Sequence, residues 1–215
     1  MTARKRLLKI LLWAMVLTAA IALLLLCVGF PSPSAEFALR KAEKQHLIGP
    51  CQIMTCLDFP NGAYDHILIG QSEYGYTFFE CNSPNYDDGK LTYVERREGA
   101  TLYCTYSKYG SEEWGRDWLP VFAMVDNKSA VTAKLTLTTT HSGQTVTYPL
   151  EAGLSASGLF LFSWKTLELR SYDYWLVQQM IARHHDGYLL DGTAQATLEL
   201  YNSRGELLET YRFTK

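Results

Sequence analysis

The chain has 215 residues, with 20 basic and 22 acidic side chains and a formal charge of −2. All 22 acidic residues follow residue 30, whereas Arg4, Lys5, Arg6 and Lys9 precede it, so the remainder carries 16 basic against 22 acidic residues, a formal charge of −6. That balance excludes a nucleic-acid partner, whose phosphates need a basic face, and a polybasic attachment to anionic lipid. About 185 residues suffice for one sizeable core or two small ones.

The first element is the uncharged run from Ile10 to Phe30. At 1.5 Å per residue, a helix of about 21 residues covers roughly 30 Å, the thickness of a bilayer's hydrocarbon core. The basic flank favours keeping the N terminus in the cytoplasm. Residues 1–30 are therefore expected to form a cytoplasmic basic tip and a transmembrane signal anchor. The membrane is contacted through residues 10–30, in a single pass, with the C-terminal domain extracytoplasmic. Two other readings stay open: cleavage near Ser32-Pro33-Ser34-Ala35, although secretory apolar regions are shorter, and lipidation at Cys27 after Leu24-Leu25-Leu26.

Residues 31–49 read as a linker and a stalk helix. Ser34 is a cap for a helix from Ala35 to Ile48, and Gly49-Pro50 stops it. Phe37, Leu39 and Leu47 are its expected docking residues, and Glu36 and Arg40 have the spacing of an exposed ion pair.

Residues 50–112 read as an antiparallel β-meander. His66–Gln71 and Tyr76–Cys81 flank a turn, and Leu91–Arg96 and Ala100–Tyr106 flank Arg97-Glu98-Gly99, which gives two hairpins. Asn82–Gly89 between them is polar and turn-rich; Asn85, Asp87 and Asp88 offer oxygens, but the loop is too short for a twelve-residue calcium loop. The cysteines outside the apolar run are Cys51, Cys56, Cys81 and Cys104. Four cysteines allow three disulfide pairings, and an exported position is compatible with one or two bridges. Free buried thiols and a zinc site are the alternatives. The zinc reading lacks a second close pair after Cys51 and Cys56.

Residues 113–215 read as a β-sandwich-like domain. Ala133, Leu135, Leu137 and Thr139 alternate with Lys134, Thr136, Thr138 and Thr140, as in a strand with one wet face. His141–Gln144 is a hairpin turn, and Pro149 marks an edge strand or strand end. Leu159–Trp164 is apolar on both faces, so each face needs a cover. Tyr172, Trp175, Leu176 and Met180 share one face of a helix near 171–185, and Gly187 supplies a stop. Ala194, Ala196, Leu198 and Leu200 form an inner face, followed by the turn Asn202–Gly205 and a last strand. The fold class is thus mainly β: an N-terminal transmembrane helix, a short helical stalk, an antiparallel meander, and an immunoglobulin-like β-sandwich with one inserted helix.

The basic-then-apolar start, Phe37-Ala-Leu-Arg-Lys-Ala-Glu43 before Gly49-Pro50, Tyr64-Asp65-His66-Ile-Leu-Ile-Gly70 and the hairpin Leu198–Leu208 resemble an uncharacterised group of membrane-anchored extracytoplasmic proteins of Gram-positive bacteria. The resemblance implies a topology and a location, and no activity.

Motifs for chemistry fail on inspection. Gly153-Leu-Ser-Ala-Ser-Gly158 approaches a nucleophile elbow, but Ser157 stands where glycine is needed. His184-His185-Asp186 places neighbouring histidines about 100° apart on a helix, too divergent for one ion. His46, His66 and His141 are scattered, with nothing grouping them with the cysteines. No catalytic residue, cofactor or metal is assigned. Tyr74, Tyr76, Tyr86, Tyr106, Tyr109 and Trp114 lie in or beside turns and form the candidate binding surface, since Tyr and Trp are enriched at contacts; sealing the joint between sheets is the alternative. The expected function is a non-catalytic, membrane-tethered binding or assembly module of the cell envelope, with an envelope protein or polymer as partner. The alternatives are a hydrolase-like envelope enzyme using the loop carboxylates Asp58, Asp65 and Asp87, and an extracytoplasmic sensor input domain.

Overall fold

A computed structural model describes residues 3–28, 32–58, 64–104, 119–164, 171–182 and 191–214. Helix α1 spans Ala3–Val28, with Ile10, Trp13 and Leu17 exposed. The expected transmembrane helix is corrected: among the described residues, no helix is long and apolar enough to cross a membrane. The first turns of α1 carry Arg4, Lys5, Arg6 and Lys9. These charges take the first two turns of the helix out of any apolar span.

Helix α2 (Ala35–Gln45) begins as its sequence predicts, with Ser34 Oγ accepting a hydrogen bond from the Phe37 amide at 3.2 Å. Its docking face differs from expectation. Ala38, Leu39 and Glu43 are buried, whereas Phe37 and Leu47 are exposed at 52% and 94%. Arg40 pairs with Glu43 at 2.9 Å instead of with Glu36, and also donates to the Cys51 carbonyl at 2.8 Å. Glu43 in turn accepts from the Cys51 amide at 2.9 Å. The buried acid therefore staples the helix to the start of the first strand, with both of its oxygens engaged.

Three antiparallel sheets follow. The N-terminal sheet has the order β1 (Gln52–Asp58), β2 (His66–Gln71), β3 (Gly75–Cys81), β4 (Lys90–Glu95). The middle sheet has the order β5 (Ala100–Cys104), β6 (Leu119–Val125), β9 (Phe160–Trp164). The C-terminal sheet has the order β11 (Leu207–Thr214), β10 (Thr193–Tyr201), β7 (Thr132–His141), β8 (Gln144–Gly153). The chain is mainly β, and the sheets stack in layers.

The stacking follows from side-chain alternation. Leu68, Phe79 and Cys81 on one face of the N-terminal sheet pack under Ala38 and Leu39 of α2. Ile67, Ile69, Tyr76 and Phe78 on the other face meet Tyr103, Phe122, Met124 and Leu159. The opposite side of the middle sheet, with Val121, Ala123, Phe160 and Phe162, packs on Ala133, Leu135, Leu137, Ala196 and Leu198 of the C-terminal sheet. Leu176, Val177 and Met180 of α3 (Ser171–Ala182) complete that second core. The two-faced apolar stretch Leu159–Phe162 is thus covered on both sides by belonging to the central layer.

The second expected hairpin is divided between two sheets. β4 pairs with β3, and β5 pairs with β6. The chain crosses from one sheet to the next at Arg96–Gly99, where Asp126 ties the corner. It pairs with Arg96 and accepts from the Gly99 amide at 3.0 Å. Gly99 has φ +83°, and a Cβ there would lie 2.4 Å from the Tyr211 ring. Gly99→Ala is therefore expected to cost about 1–3 kcal/mol from the left-handed conformation and the clash together. A lowered urea midpoint with an unchanged slope checks it.

Candidate functional site

Among the described residues, β4, β5 and β11 are each the last strand of their own sheet. They converge on a cleft of about 540 Å³, within the ~300–1,000 Å³ typical of ligand sites. The N-terminal sheet contributes Tyr74, Tyr93, Glu95 and Arg97; α3 contributes Met180 and Ile181; β11 contributes Phe213. Tyr74 and Tyr93 are exposed at 70% and 40%, whereas Leu102 and Tyr103, from β5, are buried at the floor. The lining mixes aromatic and aliphatic side chains with the polar Thr92, Glu95, Arg97 and Thr214, so stacking, apolar contact and hydrogen bonding are all open to a ligand there.

An acid lies beneath that floor. Glu80 of β3 is fully buried, and the Tyr103 hydroxyl donates to its Oε1 at 2.8 Å. Burial pushes the Glu80 carboxyl up to about 7, against the opposing effects of the Tyr103 hydrogen bond and of Lys90, its cross-strand neighbour. The Tyr103 phenol is raised well above its ordinary value, first by its own burial and then by Glu80. Glu80 does not line the cleft, and Tyr103 stands between it and any ligand. The pair supports the floor from below.

Of the aromatic surface expected from the sequence, the structure brings Tyr74 to the cleft. Tyr76 is 4% exposed, because it opens β3 on the face turned toward the middle sheet. Tyr86 is half-buried on the other face, its ring 6.0 Å from that of His66. Tyr106, Tyr109, Trp114 and His184-His185-Asp186 lie outside the described residues. Sequence reading missed Tyr93; its signal was the alternation Lys90-Leu-Thr-Tyr-Val-Glu95 on an edge strand.

The candidate disulfides are not formed: no bridge joins any two of Cys51, Cys56, Cys81 and Cys104. Cys104 belongs to the core between the middle and C-terminal sheets, a layer away from Cys51 and Cys81. The Cys51 sulfur lies at Gly70, while Cys81 is opposite His66, four residues along β2. Four residues of strand span roughly 13 Å, well beyond the ~7 Å Cα limit of a bridge. Burial pushes the Cys51 and Cys81 thiols up to about 11 and about 12.

The loop carboxylates lie outside the cleft. Asp65 accepts from the Ser83 amide, and Asp58 meets His66. Asp87 accepts from Lys41 and from the Ser32 hydroxyl and amide, contacts that hold it down to about 2. Asn85 donates to Asp88 within the turn. Gly153–Gly158 forms a tight turn, in which Ser155 Oγ accepts from the Leu159 amide at 3.3 Å. His141 stacks on Tyr172 at 3.7 Å and steadies α3 against the β7–β8 turn.

The layered arrangement defines a β-rich protein with a concavity where its sheet edges meet. No family model matches the chain, and no curated protein matches it.

Proposed function

We propose that the protein is a non-catalytic binding or assembly module acting in the cell envelope, and that the cleft between β4, β5 and β11 is its recognition surface. The observation that carries this reading is the meeting of three edge strands around exposed Tyr74 and Tyr93. An edge strand offers a row of main-chain donors and acceptors, and aromatic side chains beside it supply apolar area at low entropy. That combination suits an extended polypeptide from an envelope partner, laid along β4 with its side chains in the cleft.

A photoreactive phenylalanine analogue at position 93 of the full chain tests the reading. Irradiation of intact cells is expected to give one reproducible crosslinked polypeptide by mass spectrometry. The same analogue at Lys134, on the outer face of the C-terminal sheet, is expected to give none. Identical products from both positions, or repeated failure to recover any from position 93, would overturn the proposal. Protease added to whole cells is expected to trim the C-terminal portion, and full protection would remove the envelope location.

A further inference from the structure

At the opposite face of the N-terminal sheet, away from the cleft, three side chains of different chemistry converge. Cys56 and Asp58 are two residues apart on β1, so they project from the same face. His66 is the cross-strand partner of Asp58 on β2. The Cys56 Sγ, an Asp58 carboxylate oxygen and an imidazole nitrogen of His66 all lie within 4.8 Å of one another. His66 Nδ1 and Asp58 Oδ1 are 2.8 Å apart. A surface ion pair accounts for that last contact but leaves the thiol beside it without a role.

From this convergence we infer that Cys56, Asp58 and His66 form a binding site for a divalent transition-metal ion of the zinc type. Thiolate, imidazole and carboxylate are the donors that such ions take, at about 2.3, 2.0 and 2.1 Å. A tetrahedral shell with those bonds places ligand atoms roughly 3.5 Å apart. The present spacing reaches that with side-chain rotations of about an ångström, which the exposed positions of Cys56 and Asp58 permit. The sulfur and nitrogen donors disfavour calcium and magnesium, which take oxygen ligands. Three protein ligands leave a fourth position for water or for a donor from a partner, so the site is open and not a closed structural centre. The strands fix the arrangement, since the register Asp58–His66 is part of the β1–β2 ladder. Sequence spacing conceals it, because the ligands come from a strand pair and not from a close cysteine motif.

Titration of the full-length protein with cobalt(II) alone is expected to bind one ion per chain, with the intense visible bands of tetrahedral cobalt and a thiolate charge-transfer band. Zinc alone should displace it. Cys56→Ser should abolish the charge-transfer band, and His66→Ala should weaken binding by more than about tenfold, beyond the loss typical of an outer-shell partner. Cys81→Ser should leave the band in place. Far-ultraviolet circular dichroism of each variant confirms that the sheet persists, and a variant that has unfolded is replaced by Asp58→Asn, which is isosteric and expected to lower affinity alone. Absence of cobalt binding to the folded wild type, or a charge-transfer band that survives Cys56→Ser, would overturn the inference.

Discussion

Phe122→Ala is expected to lower the stability of the protein by about 3–5 kcal/mol, the range for truncating a fully buried aromatic residue. Phe122 is completely buried on β6, the central strand of the middle sheet. Its ring lies 5.6 Å from that of Phe78 and 6.2 Å from that of Tyr103, which themselves stack at 3.8 Å. These rings join the N-terminal sheet to the middle one. Removing Phe122 therefore leaves a cavity at a junction between layers, whose walls belong to two sheets and cannot easily collapse. A domain of this size loses roughly 2–4 °C per kcal/mol, so the melting point should fall by roughly 6–20 °C. Phe122→Leu keeps most of the volume and should cost less than about 1.5 kcal/mol. The junction also predicts how cooperativity changes. Val121 and Ala123, on the other face of β6, remain packed in the second core. In Phe122→Ala the N-terminal sheet should loosen before the two C-terminal layers, seen as non-coincident urea transitions by fluorescence and circular dichroism. A fully coincident transition with a loss under 1 kcal/mol, on the order of a surface substitution, would show that the rings do not couple the layers.

Which parts of this architecture could be read from the chain depends on whether the signal is local. The alternation Ala133-Lys-Leu-Thr-Leu-Thr-Thr139 needs only its own period to declare a strand with one dry face, and β7 buries those residues as expected. The two-faced apolar run Leu159–Trp164 likewise implies a central layer. Arg97-Glu98-Gly99 misleads for a physical reason. A left-handed glycine between two strand-forming segments serves a hairpin and a crossing between sheets equally well, and only the partner strand decides between them. Here the partner of β5 is β6, some twenty residues further on, beyond any local pattern. The cleft was hidden in the same way, since its walls come from Tyr74, Tyr93, Met180 and Phe213, which only the stacking of sheets brings together. Among the expected site aromatics, Tyr76 failed because exposure was inferred from a neighbouring turn, whereas its position at the start of β3 faces the core. The grouping of His66 with Cys56 and Asp58 needed the β1–β2 register, which a separation of eight residues does not specify. In the N-terminal segment, composition was legible but the consequence drawn from it was not supported.

The second large effect is a loss of stability with rising pH, traced to Glu80. Its carboxyl is pushed from the ordinary 4.5 up to about 7, chiefly by burial, and its Oε2 has no hydrogen-bond partner. In the unfolded chain Glu80 gives up its proton near 4.5, whereas the folded protein holds it until about 7. Between those values the native state binds more protons than the unfolded one, so stability falls as pH rises. The contribution of the neutral acid is complete below 4.5, declines through the window and is gone above about 7. A shift of that size corresponds to about 3 kcal/mol. Glu80→Gln keeps the shape and an acceptor for Tyr103 but cannot ionise. It should melt close to the wild type near pH 4.5 and above it by several degrees at pH 8, with little slope of its own between. Tyr103→Phe separates the causes, because the tyrosine hydrogen bond favours the ionised carboxylate and its removal should move the midpoint of the pH transition upward from 7. Thermal melts of the three proteins between pH 4.5 and 8.5 check both statements. A wild type that gains stability over Glu80→Gln as pH rises, or a Tyr103→Phe midpoint displaced downward, would mean that the buried carboxylate beneath Tyr103 is stabilised in its ionised form and not suppressed by burial.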